Sequence, residues 1–113
     1  MIRIELNIMN PKKSLSQNFL TDKNICKKII SKTNVRNKVV IEIGPGKGSL
    51  TEIIVSQKPK KLYLIEKDDI LSEELRNKYK NNSKICIYNQ DILDFNFSKL
   101  KDINVISNLP YNI

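Results

Sequence analysis

Gly44, Gly46 and Gly48 stand in the run Glu42-Ile43-Gly44-Pro45-Gly46-Lys47-Gly48, directly after the apolar stretch that begins at Val39. Glycines so placed let a chain turn sharply and approach a ligand with no Cβ in the way. Glu66 closes a second apolar stretch about 20 residues further on, the place where an acidic side chain accepts hydrogen bonds from ribose hydroxyls. Asp91 follows a third such stretch and Asn108 a fourth. A glycine loop alone is a weak signal, because a tight turn before a helix explains it equally well. Polar marks after four successive apolar stretches are harder to dismiss, and they describe a nucleoside-containing cofactor lying along one edge of a sheet. The glycine spacing is G-x-G-x-G, not the G-x-G-x-x-G/A that places a pyrophosphate on a helix N-terminus. Glu42, two positions before the first glycine, opposes a pyrophosphate and suits a cation. The ammonium and sulfonium of S-adenosylmethionine fit that field better than a nicotinamide dinucleotide, which makes an oxidoreductase the weaker rival.

The stretch Ser107-Asn108-Leu109-Pro110-Tyr111-Asn112-Ile113 suggests what such a cofactor would do. An exocyclic amine on a nucleobase shares its lone pair with the ring and attacks a methyl group poorly. If the Asn108 side-chain oxygen and the Leu109 main-chain oxygen both accept hydrogen bonds from that amine, the nitrogen is oriented toward the donor. Pro110 fixes its own φ and biases Leu109 toward an extended conformation, which aims the carbonyl. Tyr111 offers a face for the base to stack on, worth about 1–3 kcal/mol. Neither histidine nor metal is required, because a sulfonium is already activated and positioning does most of the work. A strand end followed by an ordinary Asn-Pro turn with a packed tyrosine is the plainer alternative for this stretch taken alone.

These residues need a scaffold that gathers strand ends. Val39–Ile43 is a near-continuous apolar run and reads as a strand buried on both faces. A helix is expected from Ser49 to about Ser56, a second strand over Lys61–Glu66 and a second helix over Asp69–Tyr79. Ile85–Tyr88 and Ile103–Ser107 read as third and fourth strands. Strands alternating with helices imply an α/β fold, a Rossmann-like parallel sheet with ligands across its carboxyl ends. Upstream, Ile2, Ile4, Leu6 and Ile8 alternate with polar residues as a short strand does, although Met9 is an alternative start that would make what precedes it a leader. From Thr21 or Asp22 to about Lys32, Ile25, Cys26, Ile29 and Ile30 share one helical face. The expected organisation is a basic N-terminal segment, 1–38, followed by the cofactor-binding α/β portion, 39–113. The strand at Ile103–Ser107 is expected to be left with an exposed apolar edge, which folded domains normally cover.

Composition narrows the class. A chain of 113 residues is enough for one small domain. No apolar run approaches the ~18 residues of a membrane span, and the N-terminus lacks a secretory signal layout, so a cytoplasmic location is expected. Cys26 and Cys86 have no metal spacing and read as reduced core residues. The chain has no histidine, which removes the commonest general base and metal ligand and argues against a zinc enzyme or hydrolase. Net charge is +8, and residues 1–38 carry nine basic side chains against Glu5 and Asp22, leaving the remainder close to neutral. Such an asymmetry marks a phosphate-backbone partner, with Lys12, Lys13, Lys27 and Lys28 as candidate RNA contacts. A lysine-rich genome composition is the plainer source of the same bias.

Taken together, Ser16-Gln17-Asn18-Phe19-Leu20, the run from Glu42 to Thr51, Ile65-Glu66, Gln90-Asp91 and Asn108 to Ile113 resemble the KsgA-type small-subunit ribosomal RNA adenine dimethyltransferases. These have the class I S-adenosylmethionine-dependent fold. The resemblance spans almost the whole chain in the family's order. It implies dimethylation of N6 on two adjacent adenosines near the 3′ end of small-subunit rRNA, during ribosome assembly, with the immature small subunit as partner. It further implies that Asn18, Leu20, Gly44, Gly46, Glu66, Asp91 and Asn108 touch the cofactor, Glu66 at the ribose and Asp91 at the adenine amine. Asn108, Leu109, Pro110 and Tyr111 would then hold the target adenine, which must be unstacked to enter. The family usually has glycine where this chain has Ser16, a serine it shares with the related antibiotic-resistance enzymes that methylate large-subunit rRNA; Pro45 and the Gly48-Ser49-Leu50-Thr51 run still favour the small-subunit group over those relatives. Relatives continue beyond the motif at Asn108 with further strands and a C-terminal helical domain, so the chain reads as the N-terminal part of a methyltransferase. A non-catalytic RNA-binding assembly factor is the alternative from another class.

Overall fold

Five parallel strands form one sheet in the computed structural model, which describes residues 2–5, 34–98, 100 and 102–107. They are β1 (Ile2–Glu5), β2 (Val39–Ile43), β3 (Lys61–Ile65), β4 (Ile85–Tyr88) and β5 (Ile103–Ser107). Their spatial order is β1-β5-β2-β3-β4. Helix α1 (Ser49–Ser56) joins β2 to β3, helix α2 (Asp69–Lys78) joins β3 to β4, and a single 3-10 turn, Ile92–Asp94, follows β4.

Alternation along the strands divides the apolar residues between two faces. On the helix side, Val40, Leu62, Leu64 and Ile106 pack with Leu50, Ile53 and Ile54 of α1 and Leu75 of α2. On the other side, Ile41, Ile65, Ile103 and Val105 are covered by Ile92, Phe95, Phe97 and Leu100 of the segment between β4 and β5. Burying one such side chain contributes about 1.5–3 kcal/mol, so the two layers hold the central strands from both sides.

The helices begin for different reasons. Asp68 caps α2 by accepting the Leu71 N–H at 2.9 Å, and Arg76 and Lys78 in its last turn suit the negative end of the helix dipole. Helix α1 has no side-chain cap; Gly48 precedes it with φ +89°, a left-handed conformation that glycine adopts without strain. Lys78 of α2 meets Glu52 of α1 at 2.6 Å, a half-exposed ion pair that ties the two helices together. A pair of that exposure contributes about 0–1 kcal/mol.

One expectation is corrected. Strand β5 is not an exposed edge: it is flanked by β2 on one side and by β1 on the other, in register from Ile2 opposite Ile103 to Glu5 opposite Ile106. The short strand read near the N-terminus, here Ile2–Glu5, joins the four others as the fifth strand among the described residues, and its place beside β5 is what was not foreseen. The reason is pairing between distant segments, which local periodicity does not encode. The helix expected near residues 21–32 lies outside the described residues.

Candidate active site

Every site residue that the structure describes sits at the carboxyl end of a strand, as expected. Gly44 follows β2, with φ +68°, and donates its N–H to the Ile65 carbonyl at 2.9 Å, which ties the loop to the tip of β3. Gly46 has φ +60°, and a Cβ built on it would meet no atom of the described residues within 4 Å, so among them the loop leaves open space above that position. A left-handed turn over vacant space is the cradle that close approach of a ligand requires.

Glu66 is buried and spans the two motifs. Its Oε1 accepts the Gly46 N–H at 2.9 Å and its Oε2 accepts the Asp68 N–H at 3.0 Å. Each carboxylate oxygen retains a second acceptor site, so ribose hydroxyls can still donate to it. Main-chain pairing carries the line onward: the Glu66 N–H donates to the Tyr88 carbonyl at 2.9 Å, setting the tips of β3 and β4 side by side. Asp91 comes three residues later. Its Oδ1 accepts the Leu93 N–H at 3.0 Å and caps the 3-10 turn, which orients the carboxylate and leaves acceptor capacity for an exocyclic amine.

Glu42 is the electrostatic oddity of the site. It lies on the helix face of β2, fully buried, with Oε1 accepting the Thr51 hydroxyl of α1 at 2.5 Å and Oε2 without a partner among the described residues. Burial pushes its pKa up to about 8; the Thr51 hydrogen bond lowers it in part and the Glu66 charge adds to the rise. A buried carboxyl with an unsatisfied oxygen, beside a second carboxylate, is an environment that a cation improves and an anion worsens.

The structure brings together Gly44, Gly46 and Glu66 directly, and places Asp91 on the neighbouring strand tip. Strand β5 ends at Ser107, in register with Ile43. Asn18, Leu20, Asn108, Leu109, Pro110 and Tyr111 lie outside the described residues, as do Lys12, Lys13, Lys27 and Lys28. Cys86 is a free thiol in β4. Among the described residues no group of three His, Cys, Asp or Glu could hold a metal ion, and no helix is long and apolar enough to cross a membrane.

Sequence reasoning missed several contributors. Thr51 falls in the first turn of α1, and only the packing of that helix on β2 shows that it meets Glu42. Asn89 donates to Asp69 at 2.9 Å and so fixes the end of β4 to the start of α2. Ile70 and Leu93, 73% and 88% exposed, present apolar surface at the same end of the sheet. Large exposed aliphatic side chains beside Asp69 and Asp91 suit the flat face of a purine, and no periodicity marks them.

Comparison with known proteins agrees with this geometry. The family model described as ribosomal RNA adenine dimethylase matches residues 8–113. The chain belongs to that family. It is 51% identical, over 104 residues, to ribosomal RNA small subunit methyltransferase A of Pelagibacter ubique (strain HTCC1062), covering 90% of this chain and 39% of the relative. Among solved structures it is similar to the 23S rRNA methyltransferase ErmE, with a TM-score of 0.71 at 27% identity, covering 85% of this chain and 39% of that one. A dimethyladenosine transferase from Plasmodium falciparum gives a TM-score of 0.68 at 27% identity, covering 81% and 34%. The chain spans about two fifths of the length of the curated relatives it matches. Its sheet is thus the Rossmann-like sheet of the ribosomal RNA adenine dimethylases, with the glycine loop and the two carboxylates at the edge where that fold binds ligands.

Proposed function

We propose that this chain is the cofactor-binding part of a cytoplasmic methyltransferase that uses S-adenosylmethionine to dimethylate N6 of adenosines in small-subunit rRNA during subunit assembly. The observation that carries the reading is the Gly46–Glu66 hydrogen bond, which joins an open glycine cradle to a buried carboxylate beside the tip of β4. In this reading Gly44 and Gly46 admit the cofactor's close approach, Glu66 accepts from its ribose hydroxyls, and Asp91 accepts from its adenine amine. Glu42, with its unsatisfied buried oxygen, favours the cationic end. Asn18 and Leu20 complete the cofactor contacts, and Asn108 through Tyr111 hold the target base, with Asn108 and the Leu109 carbonyl accepting from its amine.

When bound, the cofactor supplies a methyl group on a sulfonium whose departure leaves a neutral thioether. The residues of this chain hold the acceptor nitrogen in line with it and keep its lone pair off the ring. The similarity to ribosomal RNA small subunit methyltransferase A supports the small-subunit substrate over the large-subunit one.

Calorimetric titration with S-adenosylmethionine tests the binding half. Glu66→Gln and Asp91→Ala are each expected to weaken binding by roughly tenfold or more, since a hydrogen bond to a charged group contributes about 1.5–3 kcal/mol. Equal affinity in parent and both variants defeats the assignment. Transfer of labelled methyl groups to immature small subunits tests the catalytic half, and binding without transfer favours the non-catalytic assembly factor.

A further inference from the structure

The fold sorts charge along the strand axis. At the carboxyl edge Glu66, Asp68, Asp69, Asp91 and Asp94 outnumber Lys47 and Lys67. At the opposite, entering edge stand Arg36 and Lys38 before β2, Lys58, Lys60 and Lys61 at the start of β3, and Lys84 before β4, with Asp102 as the carboxylate of that edge among the described residues. Backbone hydrogen bonds hold these loops together: Asn37 N–H to Lys58 O at 3.0 Å, Lys60 N–H to Lys38 O at 2.9 Å, and Leu62 N–H to Lys84 O at 2.8 Å. Arg36, Lys58, Lys60 and Lys84 are exposed, and among the described residues the ion pairs Arg76–Glu73 and Lys78–Glu52 lie on the helices.

General lysine abundance does not account for the pattern. The outer face of α2 is equally exposed, and there Glu73 and Glu74 balance Arg76 and Lys78. Among the described residues, the entering edge alone concentrates cations drawn from three loops. We propose that this edge is an RNA-contact surface of its own, gripping the phosphate backbone of a duplex segment remote from the target nucleotide.

Two physical points favour RNA as the occupant. An acidic carboxyl edge suits a cationic cofactor and repels phosphates, so an RNA that delivers a base there must be gripped elsewhere. Strands of five residues at about 3.3 Å per residue separate the two edges by roughly 15 Å, and strands about 4.8 Å apart spread the cations over some 10 Å across β2, β3 and β4. A folded RNA spans that distance, whereas a pair of stacked nucleotides, with one step of about 3.4 Å, does not. The choice of RNA as occupant rests on the proposed function, while the cationic edge does not; hairpin binding and S-adenosylmethionine binding are read separately, so either can fail alone.

Fluorescence anisotropy of the whole chain tests it, with a labelled hairpin from the 3′ end of small-subunit rRNA and an oligoadenosine of about two nucleotides, titrated between roughly 50 and 300 mM salt. The variant is Arg36→Gln, Lys58→Gln, Lys60→Gln and Lys84→Gln combined, with Lys60→Gln plus Lys84→Gln as a milder second version. At about 0.9 of slope per phosphate contact, the hairpin's log–log salt slope should become shallower by about 3.6 in the first and about 1.8 in the second. Affinity at about 0.1 M salt should fall by roughly 10- to 100-fold in the larger variant, with oligoadenosine and S-adenosylmethionine binding unchanged. An unchanged hairpin slope in the milder variant overturns the proposal, as does an equal loss for the short oligomer. Loss of binding to anionic vesicles with RNA binding intact assigns the edge to a lipid surface instead and equally overturns it.

Discussion

At Gly46 and Gly48 one residue type answers two different demands, and alanine separates them. Gly48 has φ +89°, and an added Cβ would come within 3.3 Å of Leu75 Cδ2, so Gly48→Ala strains the backbone and crowds the packing of α1 against α2. A loss of about 1–3 kcal/mol is expected, visible as a melting temperature lowered by several degrees. Gly46 has φ +60° and open space, so Gly46→Ala should cost only about 1 kcal/mol of stability. Its cofactor affinity should fall at least tenfold, because the new methyl occupies the cradle; a Gly46→Ala protein that binds normally shows the cradle to be empty of function. Glu42 presents the reverse trade. With its pKa raised from 4.5 to about 8, the folded state keeps a proton that the unfolded chain releases, so stability falls as pH rises from about 5 to 8 and levels off beyond. Glu42→Gln keeps the Thr51 contact and removes the titration. It should match the parent near pH 5 and exceed it by up to a few kcal/mol near pH 8 in denaturant titrations. A parent whose stability is flat over that range refutes the buried, protonated carboxyl.

The elements themselves show which parts of the molecule local pattern can specify. Strands β2, β4 and β5 and helix α1 run between the residues that apolar runs and turn signals marked; β2 and β5, buried on both faces, leave a near-continuous apolar record, and the edge strand β4 leaves a short one. Strand β3 stops one residue short of the expected Glu66, whose side chain turns back to the glycine loop. The tips that carry Gly44, Glu66 and Asp91 were legible for the same reason. What was not legible is contact between distant segments: the Gly46–Glu66 and Thr51–Glu42 bonds, and the partner of β5. Strand β1 pairs with β5 over its four residues and so covers an edge that would otherwise present unpaired N–H and C=O groups along an apolar strand. Removing residues 1–5 should therefore expose that edge. Sedimentation is expected to show concentration-dependent self-association, with a lower melting temperature. A monomer of unchanged melting temperature would mean that β1 contributes no protection.

Across the whole molecule, the near-neutral balance of the residues after the basic N-terminal segment hides a separation that only the fold reveals. Parallel strands place every entering loop at one end and every leaving loop at the other, so a modest bias in each loop type adds up to a field along the sheet. Glu66, Asp68, Asp69, Asp91 and Asp94 then act on a ligand as a group, beyond the contacts any one of them makes. That predicts a charge-dependent preference between S-adenosylmethionine, with a net charge of about +1, and its demethylated thioether product, which is neutral. The two share ribose, adenine and amino-acid contacts, so their affinity ratio isolates the field. Exposed charges are screened over about 10 Å at 0.1 M salt and about 3 Å at 1 M. Raising salt from about 0.02 to 0.5 M should accordingly weaken binding of the sulfonium several-fold more than binding of the thioether. Asp68→Asn plus Asp94→Asn, changing exposed carboxylates with no assigned cofactor contact, should shrink that difference. A ratio of affinities that does not move with salt would confine the electrostatics of the site to Glu42 and its immediate neighbours.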